Sequence, residues 1–148
     1  MHELEQFAAY AADFEETFAD DNWERISSRF DQNIKYVVTG SPYDCELRGR
    51  DAVLAGLKRA LDGFDRRFEN REISANGEPT VESGRVAFPA HCLYEKSGLQ
   101  SLTFVLTETV ELNDEGLITL IHDDYPDGQD HVNEWLDSNK SDFDPTYE

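Results

Sequence analysis

Residues 99–125 read LQSLTFVLTETVELNDEGLITLIHDDY. Two runs of apolar and β-branched residues flank Asn113-Asp114-Glu115-Gly116, a cluster of turn formers. That pattern predicts an antiparallel hairpin of strands Leu99–Asn113 and Leu117–Tyr125. Moving toward the N-terminus, Ser97-Gly98 marks a second turn, which places a strand at Val81 or Arg85 to Lys96. Arg67–Ser74 predicts a further strand before it. The second half of the chain is therefore an antiparallel meander.

The first half has a different period. Leu4, Phe7, Ala8, Ala11, Phe14 and Phe18 share one helical face, with Glu5, Asp13 and Glu16 between them, so residues 3–19 predict an amphipathic helix. Asp20-Asp21-Asn22 can cap a short second helix from Trp23 to Phe30. Ile34–Thr39 reads as a strand, stopped by Gly40-Ser41-Pro42, with Tyr43–Arg48 as a loop. A third helix follows Gly49, carrying Val53, Leu54, Leu57, Ala60, Leu61 and Phe64 on one face, and Gly63 weakens its end. Three helices and then a run of strands is an α+β order, with the helices on one face of a bent sheet.

A length of 148 residues predicts a single domain. At that size folding buries roughly 68–70% of the unfolded surface, so neither disulfides nor a structural metal is required. The hydrophobic content of 39% and aromatic content of 11% argue against a disordered acidic chain. The formal charge of −19 excludes nucleic acid and anionic membranes as default partners, since both need a basic face. Acidity is uneven: residues 1–71 carry a net −5 and residues 72–148 a net −14. The stretch after Asp123 holds a single base, Lys140, which predicts a solvated acidic tail. Having only four lysines is compatible with a high-salt habitat.

Cys45 and Cys92 are 47 residues apart and form no CxxC, so two free thiols are expected. The opening MHELEQFAAYAADFEE has acids and no lysine or arginine, unlike a signal peptide, and no run approaches 18 apolar residues. A cytoplasmic protein is the expectation. No Walker loop, GxGxxG, GxSxG or HExxH is present, so no cofactor is expected.

Four segments in this order resemble the nuclear transport factor 2-like superfamily, and within it the SnoaL-like polyketide cyclases and the ketosteroid isomerases. They are ADDNWERISSRF after the first helix, the strand IKYVVTGSP, RGRDAVLAGL opening the third helix, and the closing DEGLITLIHDDYPD. The resemblance implies a cone, a curved antiparallel sheet wrapped around three N-terminal helices with a pocket open at one end. It implies a single domain over residues 1–127, followed by the acidic tail 128–148, and a homodimer built on the outer sheet face. Similarity to the isomerases would place their general base at the end of the first strand, where Val38, Thr39 and Gly40 offer no acid. Their oxyanion-hole tyrosine would fall near Phe14, and their protonated aspartate near Glu108. Steroid-type isomerisation by that mechanism is therefore not expected.

Strand alternation selects the pocket residues. Pairing Leu112 with Leu117 sets Glu108 opposite Ile121 and gives one face Phe104, Leu106, Glu108, Val110, Ile121, Asp123 and Tyr125. The other face is threonine-rich and carries His122 and Asp124. A tight turn at Ser97-Gly98 pairs His91 with Phe104 and brings His91 to the first face. The expected site is an apolar pocket for a small apolar molecule. Asp123, His91 and Glu108 are its acid–base groups, and Tyr125, Tyr36, Trp23, Phe104 and Ile121 surround the substrate. Asp123 or His91 is then the base, with Glu108 or Tyr125 orienting the substrate or donating a proton. A one-residue slip in register would bring in His122 and Asp124 instead. Arg50 belongs to the start of the third helix. His91, His122, Asp123 and Asp124 do not suit a metal, because strand neighbours such as His122 and Asp123 point to opposite faces. A non-catalytic ligand-binding or dimerisation module of the same fold is the alternative reading.

Overall fold

A computed structural model describes residues 2–148. Helix α1 (Glu3–Asp20) leads through the single turn α2 (Glu24–Ser27) into β1 (Phe30–Thr39). Strand β2 (Cys45–Arg48) folds back on β1, and α3 (Arg50–Gly63) follows. The rest is β3 (Asn70–Ala75), β4 (Thr80–Glu82), β5 (Arg85–Glu95), β6 (Leu102–Leu112), β7 (Ile118–Asp124) and α4 (Asp130–Asn139). The strands form one sheet in the order β2-β1-β7-β6-β5-β3, with β4 beside β5. This is the expected α+β architecture, amended at two points. Residues 45–48, expected within a loop, form strand β2 against β1. The sheet is also mixed, because β1 runs parallel to β7 while the other pairs are antiparallel.

Two apolar clusters hold the helices to the sheet. One gathers Phe7 and Tyr10 of α1, Ile26 of α2, Val53 and Leu57 of α3, and the inward residues of β1 and β7. The other joins Phe64, Tyr94, Leu102 and Phe104 to Trp135, Leu136 and Phe143. Phe88 and Tyr125 touch both. Ile26, Phe30 and Ile34 are at most 1% exposed. Each such side chain contributes about 1.5–3 kcal/mol of hydrophobic stabilisation.

The stretch expected as a solvated tail packs against the domain. Beyond the end of β7, the edge of β6 lacks a strand partner, and α4 with its flanks covers it. The Gln129 side chain both donates to the Val105 carbonyl and accepts from its N–H. His131 Nε2 donates to the Thr103 carbonyl, and Trp135 Nε1 to that of Gln100. An edge of unpaired backbone groups is thereby satisfied. Trp135 and Phe143 are 7% and 3% exposed, while the acidic residues of this stretch stay on the solvent side.

Candidate functional site

Between the two clusters lies a cavity of about 750 Å³. Its wall is largely aromatic, with Phe7, Tyr10 and Phe14 from α1, Tyr36 from β1, Phe88 and Tyr94 from β5, and Phe104 and Tyr125 at the far side. The charged lining residues are six acids, Glu15, Asp65, Glu108, Asp123, Asp127 and Asp130, against one base, Arg71.

Asp123 is the buried charged residue of this wall, at 8% exposure. It lies directly across from Glu108 of β6 and beside Val38 of β1. The hairpin is shifted by two residues from the sequence expectation: the turn pairs Leu112 with Ile118 rather than Leu117, and Thr119 is an extra residue at a bulge opposite Glu111 and Leu112. A shift of two keeps every side chain on its face, and it brings the two carboxyl groups face to face. The Tyr36 hydroxyl donates to Asp123 Oδ2 at 2.6 Å. Asp123 Oδ1 is buried and, with both carboxyls ionised, meets no hydrogen-bond donor among the described residues. The group left to serve it is the Glu108 carboxyl, hydrogen-bonded to Asp123 when it carries a proton.

Burial raises the pKa of both carboxyls. For Glu108 the charge of Asp123 adds to desolvation, and the value stands well above the ordinary range. For Asp123 desolvation is partly offset by hydrogen bonds from Glu108 and Tyr36. Desolvation favours a proton on the pair, and the Tyr36 hydroxyl donating to Asp123 favours the negative charge there, so the two carboxyls titrate as a coupled pair. The residual exposure of Glu108 faces the cavity.

Other phenols stand around this pair. Tyr10 lies on the cavity wall, its pKa raised by burial and then by the charges of Glu108 and Asp123. It is one helical turn before Phe14, so α1 delivers a phenol despite the phenylalanine. Asp123 likewise supplies, from β7, a carboxylate beside Val38 where β1 has none. Tyr125 and Ile121 line the cavity on either side of Asp123 in β7 and its exit.

Two expected residues fall elsewhere. His91 faces away from the cavity: β5 pairs His91 with Val105, so Ala90, Cys92 and Tyr94 point inward instead. The connection after Glu95 is longer than a two-residue turn, pairing Tyr94 with Leu102, and this one-residue slip inverts β5. Trp23 lies outside the cavity wall, edge-on to Phe14 at 6.4 Å, with its indole donating to Asp21. His122 and Asp124 sit on the outer face, both hydrogen-bonded to Thr39. Arg50 reaches the Phe30 carbonyl at the start of α3. Cys45 and Cys92 are free thiols.

Sequence reasoning missed a second polar group. Arg71 donates to Asp65 at 2.8 Å and to Glu15 at 2.7 Å, Tyr94 donates to the same Asp65 oxygen, and the guanidinium lies over Phe18. These residues come from α1, the turn after α3, β3 and β5, and no local pattern links them. Tyr10 was the legible omission, since it falls on the helical stripe with Phe7 and Phe14. Among the described residues, no group of three His, Cys, Asp or Glu side chains is placed to hold a metal ion.

A curved sheet closed over helices around an apolar cavity is the nuclear transport factor 2-like fold. The sequence profile of the SnoaL-like domain matches residues 11–121, and the chain belongs to that family. No curated protein matches it by sequence. Solved structures share the fold at low identity. An NTF2-like protein of unknown function from Exiguobacterium is 17% identical with a TM-score of 0.64, over 83% of this chain and 99% of that one. TerC co-crystallised with polyporic acid is 17% identical with a TM-score of 0.65, over 90% and 97%. An LEH-like epoxide hydrolase of M. tuberculosis is 16% identical with a TM-score of 0.60, over 89% and 92%.

Proposed function

We propose that this protein is a cofactor-independent acid–base enzyme acting on a small, neutral, mostly apolar molecule. The observation that carries the reading is Asp123 Oδ1, a buried carboxylate oxygen without a conventional donor, set against a carboxyl that burial keeps protonated. A pair holding one proton and one negative charge can take a proton from a substrate carbon or a water and return one to an oxygen. Asp123 is the base and Glu108 the acid, with Tyr36 fixing the Asp123 carboxylate and Tyr10 at hand to hydrogen-bond an oxygen that gains charge. Such groups typically contribute 10²–10⁴-fold each. Six acids against one arginine in the cavity wall disfavour carboxylate, phosphate or thioester-bound nucleotide substrates. One protein of the same fold is an LEH-like epoxide hydrolase and another was co-crystallised with polyporic acid, which supports a small organic molecule in the cavity.

The test is proton exchange. Wild-type protein in D₂O is incubated with a panel of neutral enolisable ketones, unsaturated ketones and quinones, and deuterium uptake is followed by NMR. Hydrolysis of neutral epoxides is followed in parallel. Wild-type protein should catalyse at least one of these reactions, and Asp123→Asn should slow it by about 10²–10⁴-fold while melting as the wild type does. Equal rates in both proteins would remove Asp123 from the mechanism. Ligand retention with no reaction anywhere in the panel would favour the apolar-ligand-binding reading, which the largely aromatic wall would serve as well.

A further inference from the structure

The cavity has a second polar end, remote from the carboxyl pair. Phe88 of β5 is directly across from Glu108, and Tyr94 lies six residues further along the same strand, which is roughly 20 Å of backbone. Helix α1 runs beside this strand and gives an independent measure. Phe7 packs on Phe88 with ring centroids 5.3 Å apart, and the Arg71 guanidinium lies 4.5 Å over the Phe18 ring. Eleven residues of helix separate Phe7 from Phe18, roughly 16 Å. Arg71 is directly opposite Tyr94 in the β3–β5 ladder, so both side chains leave the sheet on its inner face.

At this end Arg71 Nε and the Tyr94 hydroxyl both donate to Asp65 Oδ2, at 2.8 and 3.0 Å, and Arg71 Nη1 donates to Glu15 at 2.7 Å. All four residues line the cavity, and the Arg71 side chain is 9% exposed. Its third nitrogen, Nη2, has no hydrogen-bond partner among the described residues and is not closed off in the interior as Asp123 Oδ1 is. The Tyr94 oxygen, its proton given to Asp65, can only accept. One carboxylate oxygen therefore holds a free donor and a free acceptor side by side. A hydroxyl group, which donates and accepts, satisfies both, whereas a carbonyl satisfies only the arginine. An anion gains little here, because Asp65 and Glu15 already offset the single positive charge.

We propose that Arg71 and Tyr94 form a second recognition pole, binding a neutral hydroxyl at the far end of an elongated substrate. That its other end reacts rests on the reading of Asp123 and Glu108 as the acid–base pair. The rings of Tyr94, Phe104 and Tyr125 pack in sequence at 5.6 and 5.7 Å, leading from this pole to the β7 exit two residues beyond Asp123. Flat ring systems suit such a wall.

The experiment measures binding of three flat probes by titration calorimetry. They are acetylbiphenyl and the same ketone carrying a hydroxyl or a carboxylate at its far para position. Wild-type protein should bind the hydroxyl probe about tenfold more tightly than the parent, and the carboxylate probe least. Arg71→Lys keeps the charge but loses the planar fork. It and Tyr94→Phe should each cut the hydroxyl preference to about threefold or less, with affinity for the parent ketone unchanged. Equal affinity for parent and hydroxyl probes in the wild type, or no binding of either, would overturn the pole. So would a preference that survives both substitutions, and tightest binding of the carboxylate probe would overturn the assignment to a neutral oxygen. The preference needs no turnover, so an Asp123→Asn variant that exchanges the acetyl protons as fast as wild type would remove the acid–base reading without touching the pole.

Discussion

Glu108 lies directly across from Asp123, and burial raises the proton affinity of both. An unfolded glutamate titrates near pH 4.3. Above that pH the folded protein holds a proton on Glu108 that the unfolded chain has lost. The native state then binds more protons than the unfolded state, so unfolding free energy falls as pH rises from about 4 toward the raised native value. Glu108→Gln keeps a donor toward Asp123 Oδ1 and removes this titration. The variant should match the wild type near pH 4 and exceed it by about 1–2 kcal/mol at pH 8 in urea unfolding. Parallel pH profiles for the two proteins would mean that Glu108 ionises normally. In the exchange assay the same substitution should lower the rate, because glutamine cannot return a proton. Stability and activity thus respond in opposite directions at one side chain, as expected where a buried titratable group is kept for chemistry.

Strand register separates what could be read in advance from what could not. Helices α1 to α3, strand β1, the meander of the second half, the start of α3 after Gly49 and the inward face of β6 and β7 were legible, because each depends on local period and turn residues; β2 and α4 were not. In the β6–β7 hairpin the two-residue shift was harmless to the faces, yet it alone puts Glu108 opposite Asp123. In the β5–β6 hairpin the slip was of one residue and exchanged His91 for Cys92. Part of what fixes that slip is remote: the Gln100 carbonyl in the connection accepts the indole N–H of Trp135 from α4. No pattern within residues 85–112 could show a contact made by residue 135. Gly63 of α3 was misread for the same reason. Taken alone, Gly63 lowers helix stability by up to about 1 kcal/mol relative to alanine, yet the structure places the Asp144 backbone against it. Gly63→Ala should therefore destabilise the protein by about 1–3 kcal/mol despite the better propensity, since a backbone oxygen must move. A gain in stability in the urea midpoint would show that residues 142–147 are held loosely.

Charge acts on the molecule as a whole. The 32 acids outnumber the bases by 19, and the acidic C-terminal stretch, expected to stay in solvent, is folded along the edge of β6 and against α3. Packing that stretch concentrates like charge, because its buried side chains are aromatic and aliphatic while its carboxylates stay outside. Ion pairs offset only a little of this. Lys58 with Asp21 and Asp62, for example, is close to half exposed, and such pairs contribute about 0.2–1 kcal/mol each. Self-repulsion at longer range should then dominate the response to salt, and it is screened over roughly 3 Å at 1 M ionic strength against 30 Å at 0.01 M. Raising NaCl from 0.01 M to 1 M should raise the melting temperature, each kcal/mol gained appearing as about 2–4 °C for a chain of this length. Sodium chloride is the proper salt here, since sulfate would strengthen apolar burial in any protein. A melting temperature that falls with NaCl would assign the balance to the ion pairs. A rise confined to protein carrying residues 128–148, and lost when its surface carboxylates are changed to amides, would locate the repulsion in that segment.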